Sequence, residues 1–267
     1  MKLFFSEYKS DYANYIFPYA IWAVPEENEK PADIFAHGFL PNSRFLDRFY
    51  MCRQVRVDLG KFEPSSENRR ILRKGDAFEY ILVNRADFDY TPAWRDFCKT
   101  YADQKFGANV MSNDRLDDLF SAPIVSHVLL FRDREKDKNV GLVMLYLEPE
   151  QMGFYYYSFY DLDYFKQSLG MIMMTTAVAL LKERNFHHIY LGSCYSRNAM
   201  YKTQFAGAEF FNGFRWSDDL QELKFLINRD SGIIEKHLLE SEDFVHKFYP
   251  AGIATVEKKL YFNIAIK

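Results

Sequence analysis

Residues 155–202, YYYSFYDLDYFKQSLGMIMMTTAVALLKERNFHHIYLGSCYSRNAMYK, constrain this chain more than any other stretch. They read as strand, helix, strand and polar turn. The run 153–160 is almost continuously aromatic. A run that short and apolar suits a strand covered on both faces. Asp161 and Asp163 end it with turn chemistry. Ser168 is expected to cap the following helix, its hydroxyl accepting a free N–H of the first turn. Gly170 leaves outward-pointing N–H groups uncovered. A helix start of this kind favours a negative group or a carbonyl oxygen. Residues 169–181 are apolar on almost every side, which predicts a buried helix. Lys182 and Arg184 suit its C-terminal end. IYLG at 189–192 then returns as a second strand, parallel to the first through a right-handed crossover.

A chain of 267 residues holds one large or two small domains. With 48% apolar and 18% aromatic residues it can bury a substantial core. No apolar run reaches the roughly 18 residues of a membrane span, and the start MKLFFSEYKSDY is too short in apolar length for a secretory signal. Cys52, Cys98 and Cys194 lie far apart, with neither metal-ligand spacing nor an even disulfide framework. The expectation is a cytoplasmic protein without metal or membrane partner. The net charge of −3 does not mark a nucleic-acid binder, but its distribution is uneven. Residues 44–74 hold nine basic and four acidic side chains, so they carry +5 and the rest −8. Such asymmetry fits a polyanion-facing patch, and equally a solvated surface.

Along the chain, residues 1–75 read as a small N-terminal accessory domain. A strand is expected at 19–24, a short helix at 31–37 closed by Gly38, and one strand over 49–59 with Val55 and Val57 on one side and Arg56 and Asp58 on the other. From 76 to 230 the pattern is α+β. Strands are expected at 78–83, 124–131 and 140–147. Helices are expected at 91–105, with Pro92 in its first turn, and at 114–120. After the central unit come a helix at 196–205 and a late strand at 222–228. Residues 231–267 are a C-terminal extension, with a helix expected at 232–239 and a strand at 259–266.

FYDLDYFKQSLG, followed by YLG and then Tyr201-Lys202, resembles the aminoacyl-tRNA–protein transferases, the arginyl and leucyl transferases of the N-end rule. QVRVDLGKFEPSSENRRILRK at 54–74 extends the resemblance, so it covers most of 54–216. It implies a GNAT-like acyltransferase domain, with a mixed, largely antiparallel sheet and flanking helices. It implies transfer of arginine or leucine from aminoacyl-tRNA, the co-substrate, to the α-amino group of an acceptor protein, with an acidic N-terminal residue as the expected acceptor. Neither cofactor nor DNA is implied. This chain departs from the family in three places. Only Cys52 remains where relatives carry a cysteine cluster ahead of the VRV strand. Gly207 stands where a proline is expected, and Ser193 and Cys194 precede Tyr195 where aromatic residues are usual.

The reaction suggests roles. Ester aminolysis builds an oxyanion, which backbone N–H groups of Ser168, Leu169 and Gly170 are placed to meet. On the motif alone, an ordinary cap with a packing glycine is the commoner meaning. Asp161 can orient or deprotonate the amine, or simply close a turn. The resemblance assigns substrate contacts to Arg69, Arg70, Tyr195, Tyr201, Lys202 and Glu209. Guanidinium groups grip carboxylate or phosphate bidentately. Arg73 and Lys74 are expected on tRNA. Two rivals are a coenzyme A-dependent acyltransferase, against which Ile172 replaces the second small residue of the usual phosphate loop, and a non-catalytic relative that binds tRNA or protein N-termini.

Overall fold

The computed structural model describes residues 1–252. A four-stranded antiparallel sheet is built from β1 (Lys2–Glu7), β2 (Tyr19–Val24), β3 (Phe39–Pro41) and β4 (Phe49–Met51), in the order β1-β2-β4-β3. Helix α1 (Pro31–Ala36) precedes β3 and ends at Gly38, whose φ of +89° only glycine adopts freely. The strand expected over 49–59 is two strands in two sheets. The chain turns at Cys52, where the Gln54 N–H bonds back to the Cys52 carbonyl, and β5 (Gln54–Asp58) enters the large sheet. The alternation survives the break, with Val55 and Val57 fully buried.

The large sheet has eight strands in the order β12-β11-β5-β10-β9-β8-β7-β6. Its other strands are β6 (Phe78–Asn84), β7 (His127–Asp133), β8 (Lys138–Glu148), β9 (Met152–Tyr160), β10 (His188–Ser193), β11 (Ala208–Phe211) and β12 (Trp216–Ser217). Every neighbouring pair is antiparallel except β9 and β10, which are parallel. The α+β architecture with a mixed, largely antiparallel sheet is therefore as expected. The seam expected at residue 75 does not follow the sheet. β5 lies inside it, between β11 and β10, and α2 (Ser66–Gly75) packs on the long helix α5 (Leu169–Glu183).

Two cores cover the two faces of this sheet. One holds Val55, Val57, Leu129, Val143 and the apolar body of α5, ten of whose residues are buried. The other holds Phe154, Phe159 and Tyr190 with residues of α1, of α3 (Pro92–Lys105) and of α4 (Asn113–Ser121). Thr91 caps α3 and Ser112 caps α4, each accepting a backbone N–H. α2 lies along α5 in the opposite sense. A Cβ on Gly75 would meet Ile172 Cγ2 at 3.2 Å, while at the far end Lys182 Nζ donates to the Leu59 carbonyl at 2.8 Å.

Downstream, the expectations meet three corrections. The segment read as a late strand at 222–228 is helix α6 (Leu220–Asp230), started by Asp219, whose carboxylate accepts the N–H groups of Gln221 and Glu222. The segment 232–239 is mostly irregular, with one 3₁₀ turn at Leu238–Glu240 before α7 (Glu242–Phe248). The helix expected at 196–205 is a 3₁₀ segment, Arg197–Thr203. The strand expected at 259–266 lies outside the described residues. No helix among the described residues is long and apolar enough to cross a membrane.

Candidate active site

Strands β9 and β10 pair only at Met152–His188, Gly153–Ile189 and Phe154–Tyr190. Beyond that point they part. β9 carries a bulge where Leu145 faces Tyr155 and Met144 faces Tyr157, and it stays with β8. β10 bulges at Leu191, with Gly192 at φ +82°, and stays with β5. The start of α5 sits at this opening, with Gly170 against the ring of Tyr160. The 3₁₀ segment Arg197–Thr203 forms another wall, tied to the first turn of α5 by Gln204 Nε2 and Met171 Sδ at 3.6 Å.

The helix start differs from the expectation at one residue. Ser168 has φ +65°, a left-handed conformation, and its hydroxyl caps nothing. It is the hinge between the 3₁₀ segment Leu162–Gln167 and α5: its N–H reaches the Phe165 carbonyl, and its own carbonyl accepts from Met171 and Ile172. The N–H groups of Leu169 and Gly170 bond to no carbonyl among the described residues. Those two N–H groups are what an oxyanion or ester carbonyl would meet. Gly170 has a packing reason as well, because an added Cβ would stand 3.0 Å from Tyr160 Cε1.

Tyrosines dominate the walls. The rings of Tyr101, from α3, and Tyr160 lie 4.9 Å apart. Tyr155 is buried, Tyr201 half open. Burial raises the pKa of all four hydroxyls, so all are neutral proton donors across the physiological range. Lys202 is the cation of the site. Its Nζ donates to the Ser193 carbonyl at 2.9 Å and has no carboxylate partner among the described residues. Burial lowers its pKa, against the pull of the Cys194 and Cys52 thiols beside it. Burial pushes the Cys52 thiol up to about 12 and raises that of Cys194, so neither is a thiolate nucleophile at neutral pH. Gln54 is a fully buried amide at the start of β5, opposite Ser193, with neither polar atom partnered among the described residues.

Five expected site residues are engaged by other groups. Asp161 accepts from Lys138 Nζ at 2.7 Å and from the Asp163 N–H at 3.0 Å. Burial alone would raise its pKa, but those donors hold it below the usual carboxylate range, which makes it a weak base. It lines a cavity of about 290 Å³ with Tyr160, Tyr101, Thr100 and Gln104, beside the opening. Glu209 lies directly across from Arg56 and accepts from its Nε and Nη2 at 2.9 and 2.8 Å, and from Lys61 Nζ at 3.1 Å. That carboxylate is saturated by its own cations rather than free for substrate. Arg69 and Arg70 are exposed on α2, one donating to the Pro64 carbonyl and the other paired with Glu67. No described contact joins them to Lys202 or Tyr195. Tyr195 accepts the Arg53 N–H at 2.8 Å and lies under its guanidinium at 4.8 Å. Arg73 and Lys74 are exposed in the last turn of α2, at the end that meets the start of α5. His188 is held down to about 4 by burial and by Arg56, hence neutral.

Sequence reasoning missed Tyr101 and Gln54. Tyr101 looks like a core position of an amphipathic helix, and only the packing of α3 on β9 brings it to Tyr160. Gln54 carried no signal until its burial was seen.

Comparison with known proteins places the same region. Residues 90–212 match the family model described as arginine-tRNA-protein transferase, C terminus. The aspartate/glutamate leucyltransferase of Ruegeria pomeroyi is 26% identical over 172 residues, covering 62% of this chain and 61% of that one. The enzyme of that description from Pseudomonas aeruginosa is 24% identical over 171 residues, covering 62% and 70%. The chain thus spans about three fifths of the Ruegeria relative's length. Among solved structures, L-PGS from Bacillus licheniformis matches at 13% identity and TM-score 0.41, over 53% of this chain and 44% of that one. FemX matches at 9% and 0.40, over 53% and 52%. The matched segment runs from the start of α3 to the end of β11 and includes the start of α5 with Tyr160, Tyr201 and Lys202; over it the chain is similar to the aminoacyl-tRNA–protein transferases.

Proposed function

We propose that the protein transfers an amino acid, leucine or arginine, from aminoacyl-tRNA to the N-terminal amine of an acceptor whose first residue is acidic. The observation that carries this reading is the pair of free N–H groups at Leu169 and Gly170, set among neutral tyrosine hydroxyls inside the segment matched to the family. The names of the curated relatives favour leucine and aspartate or glutamate acceptors.

The chemistry asks little of a base. An α-amino group has a pKa of about 7.7–8.0, so on the order of a quarter is neutral at cytoplasmic pH. That fraction attacks the ester carbonyl. The carbonyl oxygen gains charge, which the two N–H groups and the tyrosine hydroxyls stabilise. The C–O bond to the ribose then breaks, and the amine's proton leaves with the ribose oxygen or to water. Holding both reactants at one opening supplies the rest of the acceleration. Lys202 is the residue suited to the acceptor's acidic side chain, as a half-buried ammonium without a carboxylate of its own. The test is a transfer assay with leucyl- and arginyl-tRNA against peptides beginning with Asp, Glu or Ala, with an acetyl-coenzyme A arm. Leucine transfer confined to Asp and Glu peptides is expected. Acetyl transfer, or no transfer with any charged tRNA, would overturn the reading.

A further inference from the structure

Just outside the opening, Phe165 stands 60% exposed in the 3₁₀ segment that leads into α5. The neighbouring Tyr164 is buried, so the segment is anchored while the Phe165 ring faces water. Lys105, the last residue of α3, holds its ammonium 4.5 Å from the Phe165 ring centre. Lys166 is exposed beside it, and neither lysine has a carboxylate partner among the described residues. Phe106, 42% exposed, continues the aromatic surface next to Tyr101. Lys105 and Phe165 come from separate segments of the chain, so their meeting is a product of the fold.

We infer that Phe165 is the stacking platform for the unpaired 3′-terminal base of the donor RNA, with Lys105 and Lys166 set against the adjoining phosphates. The inference rests on the proposed function and names where that donor binds. An open aromatic ring flanked by cations is the arrangement that holds single-stranded nucleic acid, because every base offers a π-face and every linkage a charge. The lysine now over the ring is no obstacle. An exposed cation–π pair is weaker than a stacked base, and the displaced ammonium gains a phosphate. Position agrees as well. Phe165 precedes Leu169 by four residues, and a 3₁₀ segment rises about 2 Å per residue. The Ser168 N–H bonds back to the Phe165 carbonyl at 2.9 Å, so the Phe165 backbone lies within roughly 8 Å of the Leu169 N–H, about one nucleoside's span. A base stacked there leaves its ribose, and the ester it carries, at the opening.

The experiment measures binding of an uncharged acceptor-stem minihelix with an unpaired 3′ end, its terminal adenine replaced by the fluorescent 2-aminopurine. A second RNA lacks that terminal nucleotide. The proteins are the parent, Phe165→Ala, Phe165→Trp, Lys105→Ala and Lys166→Ala, across a salt series. For Phe165→Ala, affinity for the complete RNA should fall about 5- to 100-fold with the salt slope unchanged. Quenching of the terminal base should vanish, and Phe165→Trp should restore both. The shortened RNA should bind the parent and Phe165→Ala alike. Each lysine variant should lower the salt slope by about 0.7. If the parent binds and Phe165→Ala retains affinity and quenching, the inference fails and the proposed function stands. If the parent does not bind the minihelix at any salt, both fall.

Discussion

Lys202 is a cation kept in a half-buried place with only the Ser193 carbonyl to receive it. Burial disfavours its charged form, so its folded pKa lies below the unfolded value of about 10.4. The linkage has a definite sign. The unfolded chain then binds more protons than the folded one, so stability rises with pH through the window between the two values. The cost is fully present below the folded pKa and gone above the unfolded one. Lys202→Met should therefore melt higher than the parent at neutral pH, and the difference should shrink as pH rises toward about 10.4. The same variant should lose transfer to acidic acceptors, read as a rise in KM for the peptide. A variant that melts lower at neutral pH would show the lysine to be a structural tie. Gly170 makes a second residue-scale case. Gly170→Ala gains up to about 1 kcal/mol of helix propensity, while its new methyl presses Tyr160 from 3.0 Å. Melting should stay within about 1 kcal/mol of the parent while transfer drops, because the tyrosine wall shifts. Asp161 and Glu209 explain why residue roles are hard to read in a sequence. Each looks like a free carboxylate, and each is claimed by a cation, Lys138 or Arg56, that only the sheet register brings to it.

At the scale of elements, the hinge at Ser168 joins a 3₁₀ segment to α5 and needs a left-handed residue. Left-handed backbone costs an ordinary residue about 1–2 kcal/mol and glycine little. Since glycine also loses more entropy on folding, Ser168→Gly should stabilise by up to about 1 kcal/mol. With no hydroxyl cap to lose, Ser168→Ala should change stability by under about 0.5 kcal/mol, like other substitutions away from special contacts. Thermal melts of the two variants decide it; a loss near 1 kcal/mol for alanine, the usual cost of a missing cap, would restore the hydroxyl-cap account. The central strand-helix-strand unit was legible because its apolar runs are long and its turns are marked by Asp and Gly. α6 was not. LKFLIN is too short for its periodicity to separate strand from helix, and the decisive signal was Asp219, one place before the helix begins at Leu220. The 49–59 run was legible as extended chain, but no local pattern reports that its halves join different sheets. Glu209 ties β11 to β5 through Arg56, both side chains largely buried at 13% and 10% exposure. Removing it leaves a guanidinium without its counter-charge, so Glu209→Ala should cost about 3 kcal/mol.

For the whole molecule, the question is whether the N-terminal sheet is a separate unit. In sequence, residues 1–75 read as one. The packing joins it to the rest. Phe35 of α1 is fully buried, its ring 5.1 Å from Phe154 of β9 and 4.9 Å from Tyr190 of β10. Trp216 of β12 donates to the Ala36 carbonyl at 2.8 Å and lies under Arg56, at 3.9 Å. The N-terminal residues therefore complete the core on the sheet face opposite α5, behind the strands that part to form the opening. Truncating a buried phenylalanine to alanine costs about 3–5 kcal/mol, against a typical total stability of 5–15 kcal/mol. Phe35→Ala should accordingly lower the melting of the whole protein. Calorimetry should give one transition for parent and variant alike, with circular dichroism and tyrosine fluorescence moving together. If instead two transitions appear and Phe35→Ala lowers only one, the N-terminal sheet folds on its own. Transfer activity distinguishes the same alternatives. In a single cooperative body, activity should be lost along the one unfolding curve, because Phe35 packs against both β9 and β10, the strands that border the opening.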